Sequence, residues 1–108
     1  MYMTEKEAHI SHLIKQRITE KDPEAQVILF GSHARGEANR HSDWDVLILL
    51  KENAVSRSLE KEYREQLFDV ALEMGEPIST YVFSKSEWET KHFYTPFYEN
   101  VNREGVVL

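Results

Sequence analysis

Apolar residues recur along this chain at two different spacings, and the spacing changes from one segment to the next. Near the N-terminus it is that of a helix, with apolar side chains at Ile10, Leu13, Ile14 and Ile18. This spacing predicts an amphipathic helix. We expect the helix to begin at a capping box formed by Thr4 and Glu7. It should end near Pro23, because proline cannot continue the hydrogen-bond ladder of a helix.

Three short runs rich in apolar and β-branched residues predict strands, at positions 26–30, 46–50 and 78–83. The second run is apolar at every position, as in a strand that helices cover on both faces. Between the second and third runs, apolar residues return at steps of three and four from Leu59 to Met74, which predicts a long amphipathic helix. Gly75 is expected to cap the C-terminus of that helix.

Two shorter helices should follow the third strand. One begins at Ser84, with Glu87 completing a second capping box, and the other begins at Thr95, with proline in its first turn. It should end at Gly105, and the apolar tail that follows should pack on the domain's own core or on a partner. This order of elements predicts an α/β (α+β) fold, with helices packed on a small mixed sheet in a single domain over residues 1–108.

Composition narrows the classes of partner. The chain has 108 residues, a formal net charge of −6 and no cysteine. A domain that grips nucleic acid normally has a basic face, so nucleic acid is the least favoured partner, although Arg35, Arg40 and Arg57 could form a local basic patch. The lack of cysteine fits a reducing cytoplasm. Neither an apolar signal core nor a run of about 20 apolar residues is present, so we expect a cytoplasmic protein without membrane contact.

The candidate chemistry lies where the second strand begins. Asp43 and Asp45 are two residues apart, so their side chains share one face of an extended chain, at a spacing of roughly 7 Å. Trp44 should point to the opposite face, into the core. Two carboxylates placed in this way repel each other unless a cation lies between them. Oxygen ligands of this kind suit Mg²⁺, which typically takes one or two carboxylates together with substrate phosphates.

A bend directly after the first strand supplies a second half of the site. Gly31 allows a backbone to approach a phosphate closely, and successive N–H groups in such a turn can bind an anion. Ser32 can donate from its hydroxyl and its N–H. The segment over residues 30–46 therefore looks suited to a metal–triphosphate.

The loop between the bend and the acids is open to two interpretations. Arg35 either binds a phosphate through two donors or forms an ion pair with Glu37 or Asp43. Ser42 either contacts the nucleotide or serves only as a turn residue. The loop histidines, His33 and His41, are expected at the surface rather than as ligands. Gly36 is expected to permit a positive φ.

The pattern of Gly31-Ser32, ten residues and then Asp43-x-Asp45 resembles the nucleotidyltransferase superfamily that shares the polymerase β palm fold. Within it, the segment looks like the small branch of minimal nucleotidyltransferases. The resemblance implies a palm-like fold in which the second strand neighbours the third. It also implies that Asp43 and Asp45 are catalytic and bind Mg²⁺ or Mn²⁺, while Gly31, Ser32, Arg35 and Ser42 bind a nucleoside triphosphate. The implied reaction transfers a nucleoside monophosphate, typically AMP from ATP, to an acceptor hydroxyl.

In that branch, the acceptor is often a helical HEPN-type protein, and the two form a toxin–antitoxin pair with the transferase as antitoxin. The family usually has a third carboxylate on the strand expected at 78–83, but here that strand has none. The neighbouring Glu76 and Glu87 do not match its position, although Glu87 could assist. Two functions therefore remain open: a metal-dependent transferase acting on a partner, or a nucleotide-binding or partner-binding module without full catalysis. Self-association also remains open.

Overall fold

The structure is a computed structural model that describes residues 3–39 and 41–108. The elements follow the predicted order, with a one-turn helix in the loop after the first strand and a final short strand that was not predicted. They are α1 (Glu5–Lys21), β1 (Gln26–Phe30), α2 (Ser32–Arg35), β2 (Trp44–Leu50), α3 (Arg57–Met74), β3 (Ile78–Ser84), α4 (Lys85–Lys91), α5 (Pro96–Glu104) and β4 (Val106–Val107). Arg40, one member of the expected basic patch, lies outside the described residues.

The four strands form one mixed sheet in the order β3-β2-β1-β4. β1 is antiparallel to both of its neighbours, whereas β2 and β3 are parallel. The predicted fold class and the predicted adjacency of the second and third strands are both confirmed. β2 lies inside the sheet, and six of its seven residues are buried.

The helix ends follow the capping residues read from the sequence. Thr4 and Glu7 form the complete capping box of α1, and the Ser84 hydroxyl accepts from the N–H of Glu87 at the start of α4. Thr95 caps α5 in the same way. Gly75 ends α3 in the left-handed conformation, with a φ of +66°. Among the described residues, no helix is long and apolar enough to cross a bilayer.

Helices cover the two faces of the sheet unequally. On one face, which we call the closed face, α1 and α3 pack over a continuous layer of buried side chains that includes Val27, Leu29, Trp44, Val46, Ile48 and Leu50. On the other, the open face, α4 and α5 cover a smaller cluster built on Phe30, Leu47, Leu49, Trp88 and Val101. Alternation along β2 and its register with β1 place Asp45 on the open face, beyond the end of this cluster.

The apolar tail forms a strand that was not predicted. Val106 and Val107 pair with Leu29 and Ile28 of β1, and the N–H of Leu108 donates to the carbonyl of Val27 at 2.9 Å. Two residues are too few to show a period in the sequence, so only the free edge of β1 determines this pairing. Of the two alternatives for the tail, the domain's own core or a partner, the structure shows packing on the core, through Val106 and Leu108.

Candidate functional site

The two acids lie where β2 enters the sheet. Asp45 is paired with Phe30 of β1 and lies in register with Ser79 of β3. Asp43 precedes β2 and is exposed, whereas Asp45 is half-buried. The Ser79 hydroxyl donates to Asp43 Oδ2 at 3.0 Å. One serine of β3 is therefore a neighbour of both acids.

Gly31 brings the backbone of the bend directly against this pair. Its φ of +78° is one that other residues rarely adopt. A Cβ atom at this position would collide with the carboxylate of Asp45. The sequence suggested glycine for close approach to a phosphate. The structure adds a second reason, since only glycine leaves room for the Asp45 side chain.

The bend continues into α2, a helix of four residues. The N–H of Arg35 bonds to the carbonyl of Gly31 at 3.1 Å, and the N–H of Glu37 bonds to the carbonyl of Ser32 at 2.9 Å. The first N–H groups of a helix have no acceptor within it, so those of residues 32–34 are not used by the helix itself. Gly36 ends α2 with the expected positive φ, +72°.

Ser42 closes a turn immediately before the acids. Its hydroxyl accepts from the N–H of Asn39 at 3.0 Å, and its own N–H donates to the carbonyl of Asn39 at 3.0 Å. These two bonds hold the chain as it enters β2. In the structure, Ser42 therefore acts as a turn residue, which was one of the two alternatives from the sequence.

Arg35 forms ion pairs on both sides of its guanidinium. Nε donates to Glu37 at 3.0 Å, and Nη1 donates to the two carboxylate oxygens of Glu104 at 3.2 and 3.1 Å. The bonds to Glu37 and Glu104 raise the pKa of Arg35. The pair with Glu37 was one of the two alternatives from the sequence. Glu104 was missed, because a contact across 69 positions leaves no local pattern.

His33 is buried, so the expectation that it lies on the loop surface is wrong. Its ring is 6% exposed and stacks on Trp44, with ring centroids 4.0 Å apart. Nδ1 lies 3.2 Å from a carboxylate oxygen of Glu7 and Nε2 lies 3.3 Å from the carbonyl of Ser42. His33 thus connects α1, α2 and the entry to β2. Trp44 lies in the core, as predicted.

The electrostatics around Asp45 favour a cation. Burial raises the pKa of Asp45, and the negative charge of Asp43 raises it further, while His33 and Arg35 act in the opposite direction. A second negative charge is therefore unfavourable at this position unless a positive charge offsets it. Two neighbouring carboxylates are a donor set that fits Mg²⁺ or Mn²⁺ bound together with phosphates. The described residues contain no cluster of three or more metal-binding side chains.

A neutral side chain stands on β3 beside the acids. Ser79 lies next to Asp45 in the parallel register, and the following residue on the same face is Tyr81, which is 36% exposed. The ring of Tyr81 packs against Phe30 and Phe97, with centroid separations of 5.6 and 5.4 Å. This face of β3 therefore offers a hydroxyl and an aromatic surface rather than a third carboxylate.

The acids that flank β3, Glu76 and Glu87, do not supply the missing third carboxylate. Glu87 lies in the first turn of α4, past the far end of β3 and separated from Ser79 by at least five strand residues, or roughly 16 Å. The suggestion that Glu87 assists the pair is therefore wrong. Glu76 precedes β3 and forms an ion pair with Lys6 at 3.2 Å.

Comparison with known proteins connects this arrangement to a family. A model of the nucleotidyltransferase domain matches residues 12–103, which is most of the chain and includes the bend and both acids. A proposed protein adenylyltransferase of Methanocaldococcus jannaschii is 51% identical over 41 residues. That match covers 38% of this chain and 41% of the relative.

Solved structures with the same fold come from toxin–antitoxin complexes. A chain of a toxin–antitoxin complex with AMP-PNP superposes with a TM-score of 0.65 at 18% identity, over 89% of this chain and 69% of that one. A chain of a mutant MntA–HpeT toxin–antitoxin complex gives a TM-score of 0.64 at 19% identity, over 91% of this chain and 70% of its own length. At these identities, the likeness establishes the fold.

Proposed function

Because the chain belongs to the nucleotidyltransferase domain family, we propose that it transfers AMP from ATP to a hydroxyl group of another protein. One observation carries this proposal: Asp43 and Asp45 share Ser79 as a neighbour, and Gly31 brings the bend against them. The relative from M. jannaschii, a proposed protein adenylyltransferase, and the AMP-PNP complex support the choice of acceptor and nucleotide.

The reaction requires the acceptor hydroxyl, the triphosphate and a divalent metal ion to meet at the two carboxylates. The acceptor oxygen attacks the α-phosphorus and loses its proton to solvent, the bond from that phosphorus to the bridging oxygen breaks, and pyrophosphate leaves. Asp43 and Asp45 would hold Mg²⁺ or Mn²⁺, which when bound offsets the charge on the phosphates and orients them. Gly31 positions the N–H groups at the start of α2 to bind the β- and γ-phosphates, together with the Ser32 hydroxyl.

Arg35 is proposed to bind phosphate by exchanging one anion for another. Glu104 presents two oxygens to one nitrogen of the guanidinium, and a phosphate can present oxygens to the same group. In this proposal, Glu104 holds the guanidinium beside the site until a triphosphate replaces it. Ser42 contributes by fixing the entry to β2 and, through its position next to Asp43, lies within reach of the nucleotide.

A partner chain is proposed to supply the acceptor. The described residues already place a serine hydroxyl, that of Ser79, against Asp43. The solved relatives of this fold are toxin–antitoxin complexes. We therefore propose a helical, HEPN-type toxin as the partner and an antitoxin role for this chain, in the cytoplasm.

A second candidate follows from Ser79. Since a neutral hydroxyl occupies the β3 position beside Asp45, the chain could bind nucleotide and partner without completing transfer. In that case, contact alone would neutralise the partner, and the nucleotide would act as a structural ligand.

One experiment separates the two functions. The purified chain is incubated with Mg²⁺, ATP labelled at the α-phosphate and a candidate helical, HEPN-type protein, and label is followed on that partner. Transferase activity predicts label on the partner with the wild-type chain and none with Asp43→Asn. The matched control is Glu20→Gln, which changes an exposed carboxylate near the end of α1, outside the pair.

Calorimetry with Mg²⁺ and AMP-PNP completes the test. Binding of nucleotide and partner without label in either Mg²⁺ or Mn²⁺ would establish the binding module. Absence of nucleotide binding would overturn both candidates. Transfer that persists in Asp43→Asn would overturn the assigned site.

A further inference from the structure

The outer edge of β3 lacks the features that usually prevent a strand from pairing with another chain. β3 is the last strand on its side of the sheet. Its seven residues contain no proline and no charged residue. Native edge strands are commonly protected by lysine, proline, a bulge or a covering segment. The register of β3 with β2 is also unbroken from Ile78 to Ser84, so there is no bulge. An edge without proline, charge or a bulge is a template for another strand.

The backbone groups that face outward can be assigned from one hydrogen bond. The N–H of Trp44 donates to the carbonyl of Pro77 at 2.9 Å. Because the direction of these groups alternates along a parallel strand, residues 79, 81 and 83 turn theirs toward β2. Ile78, Thr80 and Val82 then present an N–H and a carbonyl to the outer edge. Their ideal partner is an extended polypeptide, which offers acceptors and donors at the same spacing.

An apolar ridge on α3 borders this edge. Phe68 and Leu72 lie one turn apart and are 61% and 67% exposed. A groove of about 510 Å³ runs between α3 and the start of β3, lined by Arg64, Glu65, Phe68 and residues 78–81. Single exposed apolar residues are normal on protein surfaces. Here Phe68 lines the groove beside the strand edge, and Leu72 follows it one turn along α3.

We propose that a second copy of this chain occupies the edge, with the two β3 strands antiparallel about Thr80. This pairing sets Ile78 of one copy against Val82 of the other and extends the sheet to eight strands. The symmetry axis is then perpendicular to the sheet, so both α3 helices lie on the same side. Their Phe68–Leu72 ridges meet, and an identical surface satisfies each half of the interface.

Charge favours this surface over the rest of the molecule. The net charge of −6 opposes contact between two copies in general, but the β3 edge carries no charge. In antiparallel helices, Arg64 of one copy approaches Leu72 of the other. Within each helix, Leu72 lies two turns, or about 12 Å, from Arg64, so the two Arg64 side chains are well separated. Like charges are thus kept apart, and the apolar ridge is removed from water.

The absence of cysteine from the chain allows a direct test. A single Phe68→Cys substitution places a thiol at the centre of the proposed ridge contact, and Phe93→Cys places one at a similarly exposed aromatic residue between α4 and α5. Under mild oxidation, Phe68→Cys should form a covalent dimer at least about tenfold faster than Phe93→Cys. Equal rates would overturn the proposal.

Sedimentation equilibrium supplies the second measurement. The wild-type chain should sediment as a dimer at about 100 µM, and Phe68→Asp or Leu72→Asp should weaken the dimer by about tenfold or more. Phe93→Asp is the matched control and should leave the association unchanged. A monomeric wild type, or a dimer that neither ridge variant weakens, would overturn the proposal. Asp43→Asn should dimerise normally, so this result is independent of the proposed transfer activity.

Discussion

The closed and open faces of the sheet show two different uses of the same strand. On the closed face, Trp44, Val46 and Ile48 of β2 are completely buried under α1 and α3. On the open face, Leu47 and Leu49 are buried under α4 and α5, but Asp45 lies beyond that cover. Alternation along a single strand therefore separates side chains that hold the fold from side chains that can meet a ligand.

The comparison shows that the candidate site depends on the incomplete covering of the open face by α4 and α5. A carboxylate such as Asp45 would be costly on the closed face, because no solvent or cation could reach it. At the end of the open face that the helices leave uncovered, a carboxylate has a lower desolvation cost and is accessible to an ion. We therefore expect substitutions at the uncovered end of the open face to change activity, and substitutions of side chains buried on the closed face to change stability. Four predictions test this division.

The largest effect is expected from Asp45→Asn on the open face. The amide keeps the size of the side chain but removes its charge, so transfer should fall by about a thousandfold. The free energy of unfolding at pH 7 should stay equal or rise, because burial and Asp43 raise the pKa of Asp45 and disfavour its charged form. Label transfer and urea unfolding measure the two quantities. A large loss of stability would contradict the division.

The next effect belongs to the closed face. Ile14 is completely buried in α1, and Ile14→Ala should lower the free energy of unfolding by about 2–5 kcal/mol, since it leaves a cavity. Tyr94→Ala, at an exposed position, is the control and should change it by less than about 0.5 kcal/mol. At a temperature where the variant remains folded, its nucleotide affinity should match that of the wild type. A matching loss of affinity would show that the faces are coupled.

Tyr63 gives the closed face a dependence on alkaline pH. Burial raises its pKa from 10.0 to about 12. The unfolded chain therefore releases this proton at lower pH than the folded chain, so stability is lost as pH rises from 10 toward 12. The loss should reach about 2 kcal/mol, and Tyr63→Phe should remove most of it. Thermal unfolding at pH 8 and pH 11 compares the two proteins, and identical slopes would refute the assignment.

The smallest expected change in stability comes from a substitution on the open face, at Ser79, which tests whether this position faces a bound ion. Ser79→Asp adds a carboxylate beside Asp43 and Asp45, so the metal-free protein should lose about 1 kcal/mol from repulsion between like charges. Mn²⁺ should reverse this loss and bind with a higher stoichiometry than in the wild type, as counted by electron paramagnetic resonance. Ser79→Asn has nearly the same size and is the control. Unchanged Mn²⁺ binding would show that the β3 position does not face the ion.

The sequence specified the order of helices and strands because capping residues and apolar periods are local signals. Thr4, Ser84 and Thr95 each mark a helix start that the structure contains. The same local signals indicated Gly31 and the acid pair. Their assignment as ligands of metal and nucleotide remains a prediction, since no contact of the chain alone tests it.

The features that were missed depend on contacts between distant parts of the chain. β4 exists because β1 has a free edge, and Glu104 joins the loop only because α5 ends there. His33 was assigned to the surface because its loop is polar, yet Trp44 and Glu7 arrive from other elements to enclose it. The sequence of the loop itself contains no signal of these contacts with other elements. Ser79 was likewise noticed only as the lack of an acid, whereas the structure gives it a hydrogen bond to Asp43.

The pairing of β4 with β1 ties the C-terminal segment to the loop that precedes the acids. Glu104 holds Arg35, and two residues later the chain joins the edge of β1. A fusion partner attached after Leu108 leaves both connections in place. Replacing residues 105–108 should remove the strand pairing that anchors the end of α5, and with it the position of Glu104 beside Arg35.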